Sequence, residues 1–270
     1  MSIMKNPINP KIFYKLLPWY LNPFLHWGGS VKTDRICKEL KSLGIVLSLD
    51  LGEYLDRMYA LCQYDRKSLN FLDDQLTDCT FFVDLGANLG FYSLALAKRH
   101  ENLLCILVEP DPYSVNKILR NLELNSTLSS RLVLERVAVG ERQAKLDLMI
   151  NTAGNRGGSS VVIDQRKWTK TSENIIVSVD TITLLDLLKK HSISETAPWC
   201  LKIDIEGYEY TVLHKFIEDC RDAFWPKAIV AEWTGRGVTS DLGKTPIDLL
   251  LDNGYSIAGR DDLNYLLIKK

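Results

Sequence analysis

Three charged side chains in the segment LKIDIEGYEY (residues 201–210) have the types and the spacing that chemistry requires. Lys202, Asp204 and Glu206 occupy every second position, and apolar residues stand between them. Such alternation is typical of a β-strand with one polar and one apolar face. A carboxylate can accept a proton or hold a cation, and an ammonium group can stabilise a developing negative charge. The pattern therefore indicates either a reaction site or a sheet face exposed to water.

The segment VDLGANLGFYSL (residues 83–94) predicts a ligand-binding turn between a strand and a helix. Gly86 and Gly90 permit a sharp turn, or the close approach of a ligand where a Cβ atom would interfere. The spacing differs from the G-x-G-x-x-G of dinucleotide-binding proteins, because Asn88 stands where the second glycine would be. Asp84, directly before the turn, would repel a phosphate, so we expect a cationic ligand.

A second acid follows the next predicted strand, which ends in LVEP and places Glu109 at its tip. An acid at this position can accept hydrogen bonds from both hydroxyls of a ribose. Taken alone, Asp84 could cap a helix and Glu109 could be an exposed strand end. Together, in this order, they suit an adenosine ligand with an ammonium and a sulfonium group and no phosphate. That description fits S-adenosylmethionine.

The elements that position these residues form a regular series from residue 80 onwards. Short apolar strands alternate with predicted helices of about ten to fifteen residues, which indicates βαβ units and a largely parallel sheet. The closing strands YSIAGR and NYLLIKK have no helix between them, so we expect one to run antiparallel at an edge. We interpret residues 1–78 as a helical extension with a short strand, packed on a core domain of residues 79–270.

The strand WCLKIDI is the fourth of this core, and a central parallel strand is normally apolar on both faces. Its charged residues break that rule, and unpaired buried charges are costly. The flanking helices argue against an exposed sheet. We therefore expect the charges of Lys202, Asp204 and Glu206 to meet each other, a ligand or ordered water at the carboxyl end of the strand.

At this point the sequence resembles the FkbM-type methyltransferases, a family of class I S-adenosylmethionine-dependent enzymes. The resemblance covers roughly residues 45–270 and is most specific in the KIDIEGYE block. It implies an α/β, Rossmann-like fold: a seven-stranded, mostly parallel sheet with an antiparallel last strand and helices on both faces. The activity that it implies is methylation of a hydroxyl on a sugar, a polysaccharide or a polyketide. The segments that carry it are FVDLGANLGFYSL (82–94), VEPDP (108–112), NLELN (121–125), RVAVG (136–140), GGSS (157–160), VDTITLLDLL (179–188) and LKIDIEGYE (201–209).

The sequence also predicts a set of cofactor-binding residues and two acceptor-binding ones. Tyr208 and Glu232 are predicted to contact the acceptor. The predicted cofactor-binding residues are Asp84, Gly86, Ala87, Asn88, Gly90, Glu109, Pro110, Val137 and Ala138.

A hydroxyl must lose its proton during methyl transfer, and two mechanisms for that step stay open. In the first, Asp204 is the general base, with Glu206 as second choice, and Lys202 orients the acid or stabilises the oxyanion. In the second, Asp204, Glu206 and Glu232, which ends the fifth strand, hold Mg²⁺ or another hard cation that lowers the pKa of the hydroxyl.

The polar, glycine-rich segment NTAGNRGGSS (residues 151–160) is long for a simple connection. It is either a surface loop or a substrate lid in which Ser159 and Ser160 contact the acceptor.

Composition limits the partners and the location. With 33 basic and 34 acidic residues, the net charge is −1, which disfavours nucleic acid. Six scattered cysteines suit a reducing cytosol. The aromatic segment of residues 11–29 is too interrupted to span a membrane, and predicts either a packed helix or an interfacial helix at a membrane surface.

Three other functions compete with the leading one. They are methylation of a non-hydroxyl or nucleic-acid acceptor, a nicotinamide-dependent oxidoreductase and a non-catalytic binding module. The sequence DIEG stands where many nucleic-acid amino-methyltransferases carry an Asn/Asp-Pro-Pro-aromatic run, and Asn88 disfavours a nicotinamide site.

Overall fold

A computed structural model describes residues 35–62, 64–151, 160–161, 174–220, 222–235 and 237–270 of the chain. The N-terminal aromatic segment and Ser159 lie outside these residues, and only the backbone of Ser160 lies within them. None of the helices in the described ranges has the length and apolar content of a membrane span.

The described strands follow the apolar segments of the sequence closely. They are β1 (Arg35–Leu40), β2 (Ile45–Asp50), β3 (Phe81–Leu85), β4 (Leu104–Val108), β5 (Leu132–Glu135), β6 (Ala138–Val139), β7 (Lys145–Asn151), β8 (Ser160–Val161), β9 (Asn174–Ile182), β10 (Trp199–Ile203), β11 (Ala228–Glu232), β12 (Tyr255–Asp261) and β13 (Asn264–Lys269).

At some of the helices between them, a side chain binds the free backbone amides of the first turn. Asp111 caps one helix, and Thr245 forms a capping box with Asp248 at another. The helices are α1 (Tyr54–Ala60), α2 (Arg66–Gln75), α3 (Phe91–Arg99), α4 (Pro112–Leu124), α5 (Leu184–Lys190), α6 (Glu209–Asp219) and α7 (Pro246–Asp252).

A seven-stranded sheet with the order β12-β13-β11-β10-β3-β4-β5 forms the centre of the fold. The neighbouring pairs from β11 to β5 are parallel, whereas β13 pairs antiparallel with both β11 and β12. The predicted α/β class and the predicted antiparallel last strand are confirmed. The expectation that the antiparallel strand lies at an edge is wrong, because β12 passes to the outside and β13 returns between it and β11.

Apolar cores cover both faces of this sheet, which is why its central strands are almost wholly apolar. Alternate residues of β3 point to opposite cores: Phe82 packs with α2 and α3, and Val83 packs with α5, α6 and α7. Burial on both faces leaves the carboxyl edge of the strands as the place where polar side chains emerge.

Residues 35–78 contribute to the first of these cores. Strands β1 and β2 form an antiparallel hairpin, and β2 buries Ile45, Leu47 and Leu49 beside α3 and α4. The sequence predicted β2 but not β1, whose residues alternate between exposed and half-buried. The boundary at residue 79 stays an interpretation, since both sides of it share one core.

A second, four-stranded sheet with the order β6-β9-β7-β8 lies outside the central one. Strands β7 and β9, predicted as members of the regular series, pair antiparallel with each other over the whole of β7. Strand β6 carries Ala138 and Val139 at the junction between this sheet and the candidate site.

Candidate active site

The glycine turn after β3 is fixed by a backbone contact with the neighbouring strand. The amides of Gly86 and Ala87 both donate to the carbonyl oxygen of Val108. Gly86 has a φ of +76°, and a Cβ atom there would lie 1.8 Å from the carbonyl oxygen of Asp204. Only glycine therefore allows the turn to meet the chain that leaves β10.

Glu109, at the end of β4, binds backbone amides on both sides of its carboxylate. Its oxygens accept hydrogen bonds from the amides of Asn88 (2.8 Å) and Asp111 (2.9 Å). Burial raises the pKa of Glu109 to about 7, although these two amides lower it. Glu109 thus ties the glycine turn to the start of α4 and still faces the cavity described below.

Lys202 carries a buried ammonium group at the junction of β3 and β10. It donates to the carbonyl oxygen of Gly86 (2.8 Å) and lies 3.1 Å from Asp204 Oδ2. The distance from its Nζ to Asp84 Oδ1 is 3.9 Å. Burial alone would lower the pKa of Lys202, but Asp204 and Asp84 together raise it above its ordinary value. Lys202 is therefore a fixed cation that orients Asp204.

Asp84 lies behind Lys202. Its Oδ2 accepts a hydrogen bond from the Ser93 hydroxyl (2.8 Å), and its Oδ1 is buried without a hydrogen-bond donor. Burial raises the pKa of Asp84, while Lys202 lowers it. The structure thus places this acid where its charge acts on Lys202, which lines the cavity described below, whereas Asp84 does not.

The turn after β10 holds Glu206 in an unusual backbone conformation. Glu206 has a φ of +55° and Gly207 a φ of +99°. The Oε1 atom of Glu209 accepts the amides of Ile205 (2.9 Å) and Gly207 (3.1 Å), on either side of Glu206. A non-glycine residue in the left-handed region is strained, so Glu209 stabilises the conformation that presents Glu206.

Three carboxylates converge beyond this turn. Oxygens of Asp204, Glu206 and Glu232 lie within 4.8 Å of one another, close enough to hold one metal ion. Two effects raise the pKa of Glu206 to about 8 and that of Glu232 to about 9. The larger is burial, and the second is the negative charge of Asp204. Without a cation, these two glutamates are therefore mainly protonated at neutral pH, and the cluster holds protons that it can exchange.

One cavity of about 480 Å³ joins the glycine turn to the carboxylate cluster. It lies at the carboxyl ends of β3, β4, β10 and β11, the usual ligand position in an open α/β sheet. Asp84 and Gly90 do not line it. The predicted site residues that do are Gly86, Ala87, Asn88, Glu109, Pro110, Val137, Ala138, Lys202, Asp204, Glu206, Tyr208 and Glu232.

Sequence reasoning missed the opposite wall of the cavity. Tyr59 and Asp65 come from the segment before the core, and Asn264 is the first residue of β13. These residues belong to no local motif, because only the tertiary fold brings residues 54–65 and 262–264 to the sheet edge. The one local signal was the position of Asp65 directly before α2.

The strand order, the glycine turn after β3 and the acid after β4 define a class I methyltransferase. A sequence profile of the methyltransferase FkbM domain matches residues 84–257, more than half of the chain. The chain belongs to the FkbM methyltransferase family, whose members depend on S-adenosylmethionine.

Several known proteins are similar to this chain. The methyltransferase sdnD of Sordaria araneosa is 25% identical over 200 residues, which cover 66% of this chain and 74% of sdnD. The structure of an FkbM methyltransferase from Methylobacillus flagellatus has a TM-score of 0.43 and 16% identity, and covers 79% of this chain. This chain spans about half (52%) of that protein. The structure of M. jannaschii TYW2 with AdoMet has a TM-score of 0.42 and 12% identity, covering 89% of this chain and 86% of TYW2.

Proposed function

We propose that this protein transfers the methyl group of S-adenosylmethionine to a hydroxyl of a sugar, a polysaccharide or another natural product. The observation that carries the proposal is the Lys202–Asp204 pair. It opens into the same cavity as the glycine turn and Glu109, and the Asp204 side chain is 33% exposed there.

The residues present fit this cofactor. Gly86 leaves room where a Cβ atom would overlap backbone, and Glu109 presents a carboxylate for ribose hydroxyls. Asn88 and Pro110 complete the wall on either side, and Val137 and Ala138 supply apolar surface for an adenine ring. The acidic lining suits a ligand with two cationic groups and no phosphate. When bound, S-adenosylmethionine supplies an electrophilic methyl group.

Asp204 has the geometry of a general base for the acceptor hydroxyl. Its carboxylate is oriented by Lys202, partly exposed to the cavity and next to two glutamates that carry protons at neutral pH. As the hydroxyl oxygen attacks, Asp204 takes its proton, while protonated Glu232 donates its own hydrogen bond to Asp204 and keeps its proton. The ammonium group of Lys202 offsets the negative charge of Asp204 and of the acceptor oxygen as it loses its proton.

The charge of the cavity supports a neutral acceptor. Among the lining residues that the structure describes, only Lys202 is basic, and its ammonium is already surrounded by Gly86, Asp84 and Asp204. Asp204 and Asp262 would repel a phosphate or carboxylate on the acceptor. Sugar hydroxyls, in contrast, can both donate to and accept from carboxyl groups.

A metal-assisted mechanism is the second candidate, favoured by the spacing of Asp204, Glu206 and Glu232. A hard divalent cation would be held by oxygen ligands of this kind and would lower the pKa of the hydroxyl. The two mechanisms differ in their response to chelation. Activity that survives dialysis against EDTA supports Asp204 as base, whereas activity that is lost and restored by Mg²⁺ supports the metal.

Binding of the cofactor is the first test. Isothermal titration calorimetry with S-adenosylhomocysteine should show one site, and NAD should show none. Tight NAD binding without S-adenosylhomocysteine binding would overturn the proposal in favour of an oxidoreductase.

The second test is Asp204→Asn. We expect kcat with a hydroxyl acceptor to fall about 100- to 10,000-fold, the usual contribution of a general base. Cofactor affinity should be retained, because the amide still accepts from Lys202. Glu101→Gln, an exposed acid in the turn before β4, is the control. Unchanged kcat in Asp204→Asn would exclude the proposed role of Asp204.

A further inference from the structure

Asp65 is a carboxylate at the cavity that the proposed mechanism does not use. It lies directly before α2, outside the matched residues 84–257. Its side chain does not cap the helix, although the position is one where aspartate commonly does so. The carboxylate instead faces the cavity that contains the glycine turn.

The hydrogen-bond partners of Asp65 are neutral. Its Oδ2 accepts from the hydroxyl of Tyr92 (3.1 Å) and from the amide group of Asn264 (3.5 Å). Other acids at the sheet edge are compensated differently: Asp204 pairs with Lys202, and Glu109 binds two backbone amides. Burial raises the pKa of Asp65, as expected for a carboxylate without a contacting cation.

The surroundings of Asp65 favour a cationic ligand. Tyr59, Phe91 and Tyr92 line the same cavity, and the rings of Tyr59 and Phe91 are 4.6 Å apart. Aromatic faces attract cations, and a carboxylate among them supplies the hydrogen-bond acceptor that an ammonium needs. Tyr92 is the second residue of α3, which begins at the glycine turn, so its hydroxyl places Asp65 beside that turn.

We propose that Asp65 binds the α-ammonium group of the methionine part of S-adenosylmethionine. The inference rests on the proposed function, which supplies the cofactor. Glu109 follows β4, on one side of β3, whereas Asp65 hydrogen-bonds Asn264 at the start of β13, a strand on the other side of β3. The amino-acid part of the cofactor therefore extends over β3 towards Asp65 and Tyr92.

The test compares two ligands that differ in this group. S-adenosylhomocysteine carries the α-ammonium, whereas 5′-methylthioadenosine keeps the nucleoside and the thioether and lacks the amino-acid part. In Asp65→Asn, calorimetry should show about 10- to 100-fold weaker binding of S-adenosylhomocysteine, the usual effect of a lost charged hydrogen bond. Binding of 5′-methylthioadenosine should change less than about twofold.

Two further variants separate binding from folding. Asp74→Asn removes the same charge from an exposed position of α2 and should leave both affinities unchanged. Tyr92→Phe removes the donor that orients Asp65 and should weaken S-adenosylhomocysteine selectively but less than Asp65→Asn, which keeps the test decisive if Asp65→Asn does not fold.

The outcomes distinguish this inference from the proposed function. Equal losses for both ligands, or no loss for S-adenosylhomocysteine, would overturn the role of Asp65 while the cofactor assignment stands. If the unaltered protein binds 5′-methylthioadenosine but not S-adenosylhomocysteine, the cofactor assignment itself fails, and the inference fails with it.

Discussion

The acids along the edge of the central sheet have two contrasting environments. Glu109 and Glu209 each accept two backbone amide hydrogen bonds and thereby hold turns in place. Glu206 and Glu232 instead face Asp204 across a few ångströms inside the cavity. The first kind of acid fixes the backbone, and the second kind is free to exchange protons or bind a cation.

The pKa values of the two groups reflect this difference. Burial raises the pKa of Glu109 to about 7 against the opposing effect of its amides. The pKa of Glu232 is raised to about 9 because burial and repulsion from Asp204 both disfavour its ionised form. A site that crowds carboxylates at a cost in stability is typical of function, whereas amide-bound acids are typical of structure.

The largest effect on stability is expected from a substitution of Gly86, where the turn after β3 contacts the backbone of Asp204. Gly86→Ala would bring a Cβ atom to 1.8 Å from the Asp204 carbonyl, in addition to an unfavourable positive φ. We expect the free energy of unfolding, measured with urea, to fall by about 3 kcal/mol or more. S-adenosylhomocysteine binding should be lost as well.

Gly254→Ala is the matched control for this substitution. Gly254 also has a positive φ, of +86°, but no atom lies within 4 Å of the added Cβ. It should cost only about 1 kcal/mol, the price of the backbone conformation. Equal losses in the two variants would contradict the view that the turn requires its close contact with Asp204.

A smaller effect is expected from Glu209, the acid that supports the turn of Glu206. Glu209→Ala leaves the amides of Ile205 and Gly207 without their acceptor, and should lower the free energy of unfolding by about 1–3 kcal/mol. Glu209→Gln keeps an oxygen that can accept both amides and should cost less. If both variants are as stable as the unaltered protein, Glu209 does not hold the turn.

Most of the fold could be predicted from the sequence because its patterns are local. The apolar strands, the glycine turn and the caps of α4 and α7 depend on residues close together in the chain. Strand β1 was not predicted because its residues are largely exposed or half-buried and give no clear apolar pattern. The separate sheet of β7 and β9 was not predicted because the sequence of one strand does not show which strand it pairs with.

The candidate site shows the same division. Lys202, Asp204 and Glu206 could be found because their charges break the apolar pattern of a central strand, although only Lys202 lies within β10 and the two acids follow its end. Asp65 and Asn264 could not, since they reach the cavity only through the packing of α2 and of the start of β13. Glu209 stood within a recognisable block, but its role depends on two amides that only the folded turn brings to it.

The smallest expected effect, and the one that tests the crowded acids directly, is the pH dependence of stability. Glu206 and Glu232 have pKa values of about 8 and about 9 in the folded protein and 4.5 ordinarily, so above pH 4.5 the folded state binds more protons than the unfolded state. The free energy of unfolding should therefore decrease as pH rises from about 5 to about 9. In Glu232→Gln this decrease should be shallower, because the substitution removes one of the two groups that lose a proton. The difference should be only about 1 kcal/mol, because both groups are partly exposed. Urea unfolding at pH 6, 7.5 and 9 in EDTA measures it, with Glu101→Gln as the control. Identical slopes in all three proteins would show that Glu232 ionises normally and that the acids of the cavity are not crowded.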